Sequence, residues 1–209
     1  MTLSHELWQA NADLARASLE HPFVQGIGRG DLPRERFAYY VGQDAFYLEA
    51  FARAYTIASA KAPDWEAFEL LHAMVDGVLA ERKLHESYAA EWGITIHQVE
   101  PGPTTRRYTD FLLATAWSHN TGLTMVAMLP CMRLYAFLGQ ELARDGIPDH
   151  SYRRWIETYA DPGIMELVEQ IEQLVNRYAS PTPLVHTTYR YAMECERDFF
   201  QAAWAEAGA

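Results

Sequence analysis

Cysteine and positive charge are both scarce in this sequence of 209 residues. The two cysteines, Cys131 and Cys195, are too few and too far apart for a disulfide framework or a cysteine-based zinc site. Lysine and arginine together number 17 against 28 aspartates and glutamates, which gives a net charge of -11. This charge argues against nucleic acid or an anionic membrane surface as partner. We therefore expect reduced thiols, and partners that are neutral or cationic.

Long apolar runs are missing as well. The sequence has no stretch of about 18 uninterrupted apolar residues, so it predicts no membrane span. Residues 1–14 do not contain a basic segment followed by an apolar one, which disfavours export and predicts a cytoplasmic protein. No Ser/Gly-rich linker or shift in composition divides the sequence, so we expect one domain over residues 1–209.

Helical periodicity, by contrast, is present almost throughout, and no segment alternates as a strand would. Start and stop signals predict roughly seven helices and an all-α fold, with residues 21–33 and 93–105 as connecting segments. Residues 3–20 are predicted to form the first amphipathic segment. Residues 121–143 are apolar nearly all round and should form a central buried helix, in which Pro130 causes a kink just before Cys131.

One predicted helix carries an aspartate in the middle of its apolar face. The segment is "YYVGQDAFYLEAFARAY", residues 39–55, and its opposite face carries Gly42, Glu49 and Arg53. The side chains that share a face with Asp44 are Phe37, Tyr40, Val41, Tyr47, Leu48, Phe51 and Tyr55. Burying a carboxylate there is costly unless it has a partner. That partner is either a neighbouring Tyr or Arg, which would make Asp44 structural, or a ligand.

Two more reactive groups are predicted to face inward. Glu196 on the last helix is surrounded by Val185, Tyr189, Ala192, Met193, Phe199, Phe200 and Ala203. Cys131 shares its face with Thr124, Ala127, Met128, Leu134, Tyr135 and Leu138. A single buried cysteine is usually an inert small apolar residue. Two inward acids, an inward thiol and several tyrosines together are typical of a pocket with a nucleophile and proton-transfer groups.

Four segments resemble signature segments of the TenA/thiaminase II family, and the resemblance spans nearly the whole chain. They are "HPFVQGIGRGDLPRERFAYYVGQDAFYL", "LPCMRLYAFLG", "RWIETYA" and "ECERDFF", which occur in this order at compatible separations. The resemblance implies a haem-oxygenase-like helical bundle, usually assembled as a homotetramer. We expect no metal or other cofactor. The resemblance also implies an enzyme that hydrolyses thiamin-derived aminopyrimidines at the exocyclic methylene carbon, leaving hydroxymethylpyrimidine for thiamin salvage.

The same resemblance implies a role for each matching residue. Cys131 matches the nucleophile, Glu196 the acid/base, and Tyr47 the tyrosine that assists the thiol. Asp44, Tyr135 and Tyr159 match residues that bind the pyrimidine, Asp44 by accepting hydrogen bonds from the ring's amino group. A thiolate can add to an electron-poor pyrimidine, and the adduct can then expel the leaving group from the methylene.

Some positions depart from the family pattern or allow a second interpretation. Met132 follows Cys131 where many relatives carry Tyr, and Phe200 stands where Trp is frequent, which affects the pocket shape and hence the leaving group. Phe199 is expected to line the pocket, the alternative being an ordinary core position. Tyr159 could instead be a packed interface tyrosine.

Two other function classes are alternatives to an aminopyrimidine hydrolase. A non-catalytic binder of the same ligand would need Asp44 and the tyrosines but no nucleophile. A haem- or metal-dependent oxidase on the same scaffold would need ligands, yet Glu69-x-x-His72 has no second copy for a di-iron site. Glu81 and His85 could meet on one helix face, and nothing positions His85 or His186 as a haem ligand. "GIGRG" lacks the strand and the Lys-Ser/Thr of a phosphate loop, so we interpret it as a connector.

Overall fold

A computed structural model describes residues 1–92 and 99–205, apart from the side chains at positions 84–86, 88 and 90–92. Within these ranges the chain forms ten helices and no strand, so the predicted all-α class is confirmed. The helices are α1 (Leu3–Ala10), α2 (Ala12–Leu19), α3 (Pro22–Arg29), α4 (Arg34–Ala60), α5 (Trp65–Trp92), α6 (Pro103–Ser118), α7 (Thr121–Ala143), α8 (Arg153–Ala160), α9 (Pro162–Tyr178) and α10 (Pro183–Ala205).

The centre of the fold is α7, which packs against α2, α4, α6, α8, α9 and α10. Its first turn is capped by Asn120, whose Oδ1 accepts a hydrogen bond from the Leu123 amide at 3.0 Å. By length and composition alone α7 could cross a membrane, but 78% of its most apolar window is buried inside the fold, as in a core helix. The predicted central helix is thus confirmed, with Pro130 inside it.

Helix α4 packs against α5, α6, α7 and α10, so it is buried on most sides. Gln43 links α4 to the start of α6, because its Oε1 accepts hydrogen bonds from the Gly102 amide at 2.9 Å and the Thr105 hydroxyl at 2.6 Å. Glu49 is exposed as predicted, but Gly42 is buried, and a Cβ there would lie 3.1 Å from Val99. The expectation that Gly42 lies on a solvated face was therefore wrong, because the segment before α6 covers it.

Residues 21–33 are not the connector that was predicted. Pro22 starts α3, the His21 Nδ1 accepts a hydrogen bond from the Phe23 amide, and Gly30 ends the helix at a φ of 79°. Gly28 looked like a helix breaker, yet it serves packing, since a Cβ there would lie 2.8 Å from Leu142. Close approach to a neighbouring helix, rather than a loop, explains this glycine.

The other boundaries agree with expectation apart from two details. The predicted first segment is two helices that meet at Asn11. Of the predicted connector 93–105, residues 93–98 lie outside the described residues, and Pro103 already belongs to α6. Helix α9 begins at Pro162 and is capped by Asp161, whose Oδ1 accepts a hydrogen bond from the Gly163 amide at 2.7 Å.

Candidate active site

Helices α4, α5, α7, α8 and α9 together enclose a cavity of about 430 Å³, which we call the inner cavity. Its lining consists of Asp44, Tyr47, Leu48, Phe51, Glu81, Cys131, Met132, Tyr135, Tyr159 and Ile164. Five of the seven residues predicted from the sequence are in this lining. The other two, Glu196 and Phe199, lie on α10 behind it. A few polar groups in an apolar wall suit a small ligand.

Cys131 lies one residue after Pro130 and is only partly buried, so its side chain borders the inner cavity. Burial raises the pKa of its thiol well above the usual range, and the negative charge of Glu196 raises it further. A hydrogen bond from Tyr47 opposes this rise by stabilising the thiolate. The resting thiol is therefore neutral and needs a base to become a nucleophile.

Glu196 is the nearest base. It is 2% exposed, and its Oε1 accepts a hydrogen bond of 2.6 Å from the Tyr108 hydroxyl. Burial raises the pKa of this carboxyl to about 8, partly opposed by the hydrogen bonds from Tyr108 and Cys131. Because the two groups shift each other's pKa, we infer that the carboxyl lies close enough to take the proton of the thiol. A carboxyl that titrates near neutral pH suits proton transfer in both directions.

Tyrosines connect the thiol and the acid by a second path. The hydroxyl of Tyr47 lies 3.4 Å from that of Tyr108, which in turn donates to Glu196. The single proton of Tyr47 therefore has two acceptors in reach, the Tyr108 oxygen and the Cys131 sulfur. Burial raises the pKa of both tyrosines well above the usual range, so both remain neutral donors.

Other residues that line the inner cavity suit an amino-substituted ring. Asp44 is 6% exposed, lines the cavity and already has an interaction within the fold, so a ligand would share its carboxylate rather than supply a missing partner. Tyr40 donates a hydrogen bond of 3.1 Å to the Tyr135 hydroxyl, which fixes Tyr135 at the cavity wall. Tyr159 stacks edge-on against Tyr135 with ring centroids 4.8 Å apart.

Phe199 lies outside the lining of the inner cavity. It is 4% exposed and packs on Tyr40 and Tyr47, with ring centroids 5.9 Å and 6.2 Å away. In the structure it supports two site tyrosines from behind, and its contact with ligand stays a prediction.

Sequence reasoning missed two polar residues of the site, Tyr108 and Glu81. Tyr108 contacts Glu196 across 88 positions of sequence, and the Glu81 carboxylate accepts from the Tyr159 hydroxyl across 78 positions. A polar partner at such separations leaves no local signal. Tyr108 did carry a weak signal, because it is an aromatic residue on the apolar face of α6 among polar neighbours.

In the part of the chain that the structure describes, no group of three or more His, Cys, Asp or Glu side chains could hold a metal ion. Glu69 accepts a hydrogen bond from Trp65, and His72 packs on Phe68. The side chain of His85, the possible partner of Glu81, lies outside the described residues.

Cys195 has quite different surroundings from Cys131. It is 0% exposed on α10 and lies outside the lining of the inner cavity. Burial raises the pKa of its thiol to about 12, although Arg107 beside it acts in the opposite direction. Both cysteines are free thiols, as predicted.

Comparison with known proteins adds independent information. Residues 8–206 match the model of the TENA/THI-4/PQQC family. The chain is 34% identical over 182 residues to the Aminopyrimidine aminohydrolase of Bacillus subtilis, covering 85% of this chain and 76% of that protein. It is also 34% identical over 207 residues to the Thiamine biosynthesis multifunctional protein ThiED of Corynebacterium efficiens, covering 94% of this chain. The chain spans only 28% of the length of that multifunctional protein.

Solved structures agree with these sequence similarities. A TenA homologue protein from P. horikoshii OT3 superposes with a TM-score of 0.90 at 28% identity, over 100% of both chains. A domain with a heme oxygenase-like fold from Shewanella denitrificans superposes with a TM-score of 0.77 at 12% identity, over 97% of this chain and 92% of that one. The predicted haem-oxygenase-like helical fold is therefore confirmed.

Proposed function

The chain belongs to the TENA/THI-4/PQQC family, and on that basis we propose that it hydrolyses thiamin-derived aminopyrimidines at their exocyclic methylene carbon. The substrates are 4-amino-5-aminomethyl-2-methylpyrimidine, thiamin or both, and the product is 4-amino-5-hydroxymethyl-2-methylpyrimidine for thiamin salvage. The observation that carries this proposal is the position of Cys131 at the wall of the inner cavity, near the buried Glu196 that Tyr108 holds by a hydrogen bond. The name of the Bacillus subtilis relative agrees with it.

In the proposed reaction, Cys131 and Glu196 act as one unit. The Glu196 carboxylate takes the thiol proton as the sulfur forms a bond to a carbon of the pyrimidine ring. Glu196, now a carboxylic acid, gives that proton to the adjacent ring nitrogen, which the new bond has brought close to it. The hydrogen bond from Tyr47 to the sulfur stabilises the thiolate as it forms. The proton count is balanced, because one proton moves from sulfur to nitrogen.

The second half of the reaction replaces the leaving group by water. The bond from the methylene to the leaving nitrogen breaks with its electron pair on the nitrogen, driven by electrons from the ring adduct. Water then adds its oxygen to the methylene carbon while Glu196 assists by accepting a proton. The carbon–sulfur bond then breaks with its electron pair on sulfur, and the sulfur takes back the proton that the ring nitrogen had held. The proton that Glu196 accepted from water passes to the leaving amine, or to solvent when the leaving group is a neutral thiazole, so the net change is hydrolysis of the carbon–nitrogen bond.

Recognition of the ring is assigned to other residues of the lining. Asp44 accepts hydrogen bonds from the amino group, and Tyr135 and Tyr159 contact the ring. The apolar residues Leu48 and Phe51 in the same lining exclude water from the ring faces. This division leaves Cys131 and Glu196 on the side where the chemistry occurs.

A non-catalytic pyrimidine binder is the second candidate. Such a protein would require Asp44 and the tyrosines but would not need a thiol beside a buried acid. Burial of the Glu196 carboxyl costs free energy, as its raised pKa of about 8 indicates. That cost favours a catalytic role for the pair. Assembly as a homotetramer in the cytoplasm completes the proposal, and light scattering on the purified protein would test the number of subunits.

The test of the proposal is hydrolysis by the purified protein in water enriched in oxygen-18. We expect both pyrimidines to yield hydroxymethylpyrimidine by liquid chromatography, with the heavy oxygen in the hydroxyl group by mass spectrometry. Protein that has been unfolded by heat is the control for spontaneous hydrolysis. If neither compound is converted faster than in the control although the folded protein binds them, the binder is the correct function.

A further inference from the structure

A second cavity adjoins the inner one and is larger, about 810 Å³ against about 430 Å³. We call it the outer cavity. Its lining consists of Tyr55, Ala73, Met74, Gly77, Val78, Ala80, Glu81, Met132, Thr158, Tyr159, Ile164 and Leu167. Four of these residues, Glu81, Met132, Tyr159 and Ile164, also line the inner cavity. The two spaces therefore share a wall.

The outer cavity is apolar apart from a few groups, and only Glu81 in its described lining is acidic. Met74, Val78 and Leu167 offer surfaces that suit a ring or another bulky apolar group. Gly77 adds open space, because a Cβ at this position would have no neighbour within 4 Å. A small ammonium ion would leave most of this surface unused.

Glu81 stands in the shared wall, held there by Tyr159. The Tyr159 hydroxyl donates a hydrogen bond of 2.9 Å to the Glu81 Oε1, so the carboxylate has a fixed position between the two spaces. The negative charge of Glu81 acts in both cavities, because it adds to the effect of burial in raising the pKa of Cys131 in the inner lining and of Tyr55 in the outer one. No Lys, Arg or His is among the described residues that line either cavity. The field inside both therefore favours a cation.

The geometry of the proposed substrates brings a cation to this wall. The leaving nitrogen is one carbon away from the pyrimidine ring, and it is positively charged both in an aminomethyl group at neutral pH and in a thiazolium. With the ring between Asp44 and Cys131, the outer cavity is the neighbouring space with room for a bulky leaving group.

We propose that the outer cavity is the leaving-group site and that Glu81 is a specificity-determining residue, whose carboxylate contacts a positively charged leaving nitrogen. This inference rests on the proposed function. The ligand class of the outer cavity is a bulky, apolar, cationic heterocycle, with a primary ammonium as a poorer occupant. Charge selection belongs to Glu81 and size selection to the apolar lining around Gly77.

The charge test uses two synthetic substrates that differ in charge but are nearly equal in size. Both carry 4-amino-2-methylpyrimidine, with pyridinium on the methylene in one and phenylthio in the other. Glu81→Gln keeps an acceptor for Tyr159 and removes the charge. We expect it to lower kcat/KM for the pyridinium compound about tenfold more than kcat/KM for the phenylthio compound. Asp76→Asn removes an exposed charge from the same helix and should change neither.

The size test uses Gly77→Leu, which fills open space in the outer cavity and improves helix propensity, so folding is not at risk. This variant should lose most turnover of the pyridinium compound and keep that of the aminomethyl compound. Equal effects of Glu81→Gln on the charged and neutral compounds, or of Gly77→Leu on the large and small ones, would overturn the inference.

Binding measurements separate this inference from the proposed function. Calorimetry of both synthetic compounds on Cys131→Ser, with and without Glu81→Gln, measures charge recognition without turnover. If wild type hydrolyses neither compound but Glu81→Gln still weakens binding of the pyridinium compound alone, the proposed hydrolysis fails and the leaving-group site stands. If hydrolysis occurs and Glu81→Gln weakens binding of both compounds equally, the reverse holds.

Discussion

Cys131 and Cys195 lie on two packed helices, and burial raises the pKa of both thiols, yet their surroundings differ. Cys131 borders the inner cavity, and its thiol interacts electrostatically with Tyr47 and Glu196. Cys195 is 0% exposed beside Arg107 and Tyr191 and borders no ligand space among the described cavities. Arg107 would favour the thiolate of Cys195, so charge alone would select the wrong residue. An open cavity and a proton acceptor distinguish the candidate nucleophile.

Replacing each thiol in turn tests most strongly which of the two is the nucleophile. We expect Cys131→Ser to lower turnover about a thousandfold or more, because a hydroxyl is a far weaker nucleophile in this position. The fold and the affinity for hydroxymethylpyrimidine should persist, as measured by circular dichroism and calorimetry. Cys195→Ser is the matched control and should retain turnover close to that of wild type. Equal losses in the two variants would show that the choice of thiol is wrong.

Glu196→Gln removes the proton acceptor of Cys131 while keeping the shape of the side chain. We expect turnover to fall by about a hundred- to ten-thousandfold, with binding retained. The carboxylate is the form that accepts the thiol proton, and its pKa is about 8, so wild-type kcat/KM should decrease as the pH falls below that value. This acidic limb should be absent from the variant. The pH profile is best measured with thiamin, whose thiazolium charge does not titrate.

An unchanged acidic limb in Glu196→Gln would mean that another group moves the proton. Glu194→Gln provides the control, since it removes a half-exposed acid from the same helix. It should leave both the rate and the limb as in wild type.

Asp44→Asn tests the recognition side of the cavity, where the thiol comparison predicts a change in binding rather than in chemistry. The amide keeps the size and one acceptor but loses the charge, so affinity for hydroxymethylpyrimidine should fall by about 1.5–3 kcal/mol in calorimetry. Glu49→Gln removes an exposed acid from the same helix and should leave affinity unchanged. If Asp44→Asn binds as wild type does, Asp44 is a structural acid.

Tyr108→Phe gives the smallest effect and sharpens the contrast between the two thiols. The Tyr108 hydrogen bond lowers the pKa of Glu196, so its loss should move that pKa above about 8 and the acidic limb to higher pH. At pH 7 the rate should fall about tenfold, and at high pH it should approach that of wild type. Tyr191→Phe removes the corresponding hydroxyl beside Cys195 and should leave the profile in place. If the acidic limb of Tyr108→Phe lies at the same pH as in wild type, Tyr108 does not set the pKa of Glu196.

The elements and residues that the sequence predicted well are those with strong local patterns. Helical periodicity placed α7 between residues 121 and 143, and the same periodicity predicted inward positions for Asp44 and Glu196. Helix α3 was missed because Gly28 resembles a breaker until the neighbouring side chain of Leu142 is known. The value of a glycine in close packing depends on the partner helix, which a single sequence does not specify.

The polar partners of the site lay beyond the reach of such patterns. Tyr108 and Glu81 acquire their importance from contacts with Glu196 and Tyr159 on distant helices. Helical periodicity indicates which face of a helix points inward, but it does not indicate which inward residues contact each other. For that reason Phe199 was expected in the pocket, whereas the structure has it packed behind Tyr47.

Alkylation with iodoacetamide, followed by peptide mass mapping, most directly tests the claim that Cys131 faces the bound pyrimidine. The reaction is run at mildly alkaline pH on the folded wild-type protein, with and without hydroxymethylpyrimidine. We predict that Cys131 is alkylated, that the pyrimidine slows this reaction, and that Cys195 stays unmodified under both conditions. Alkylation of Cys131 at the same rate with saturating pyrimidine, or faster alkylation of Cys195, would contradict the account.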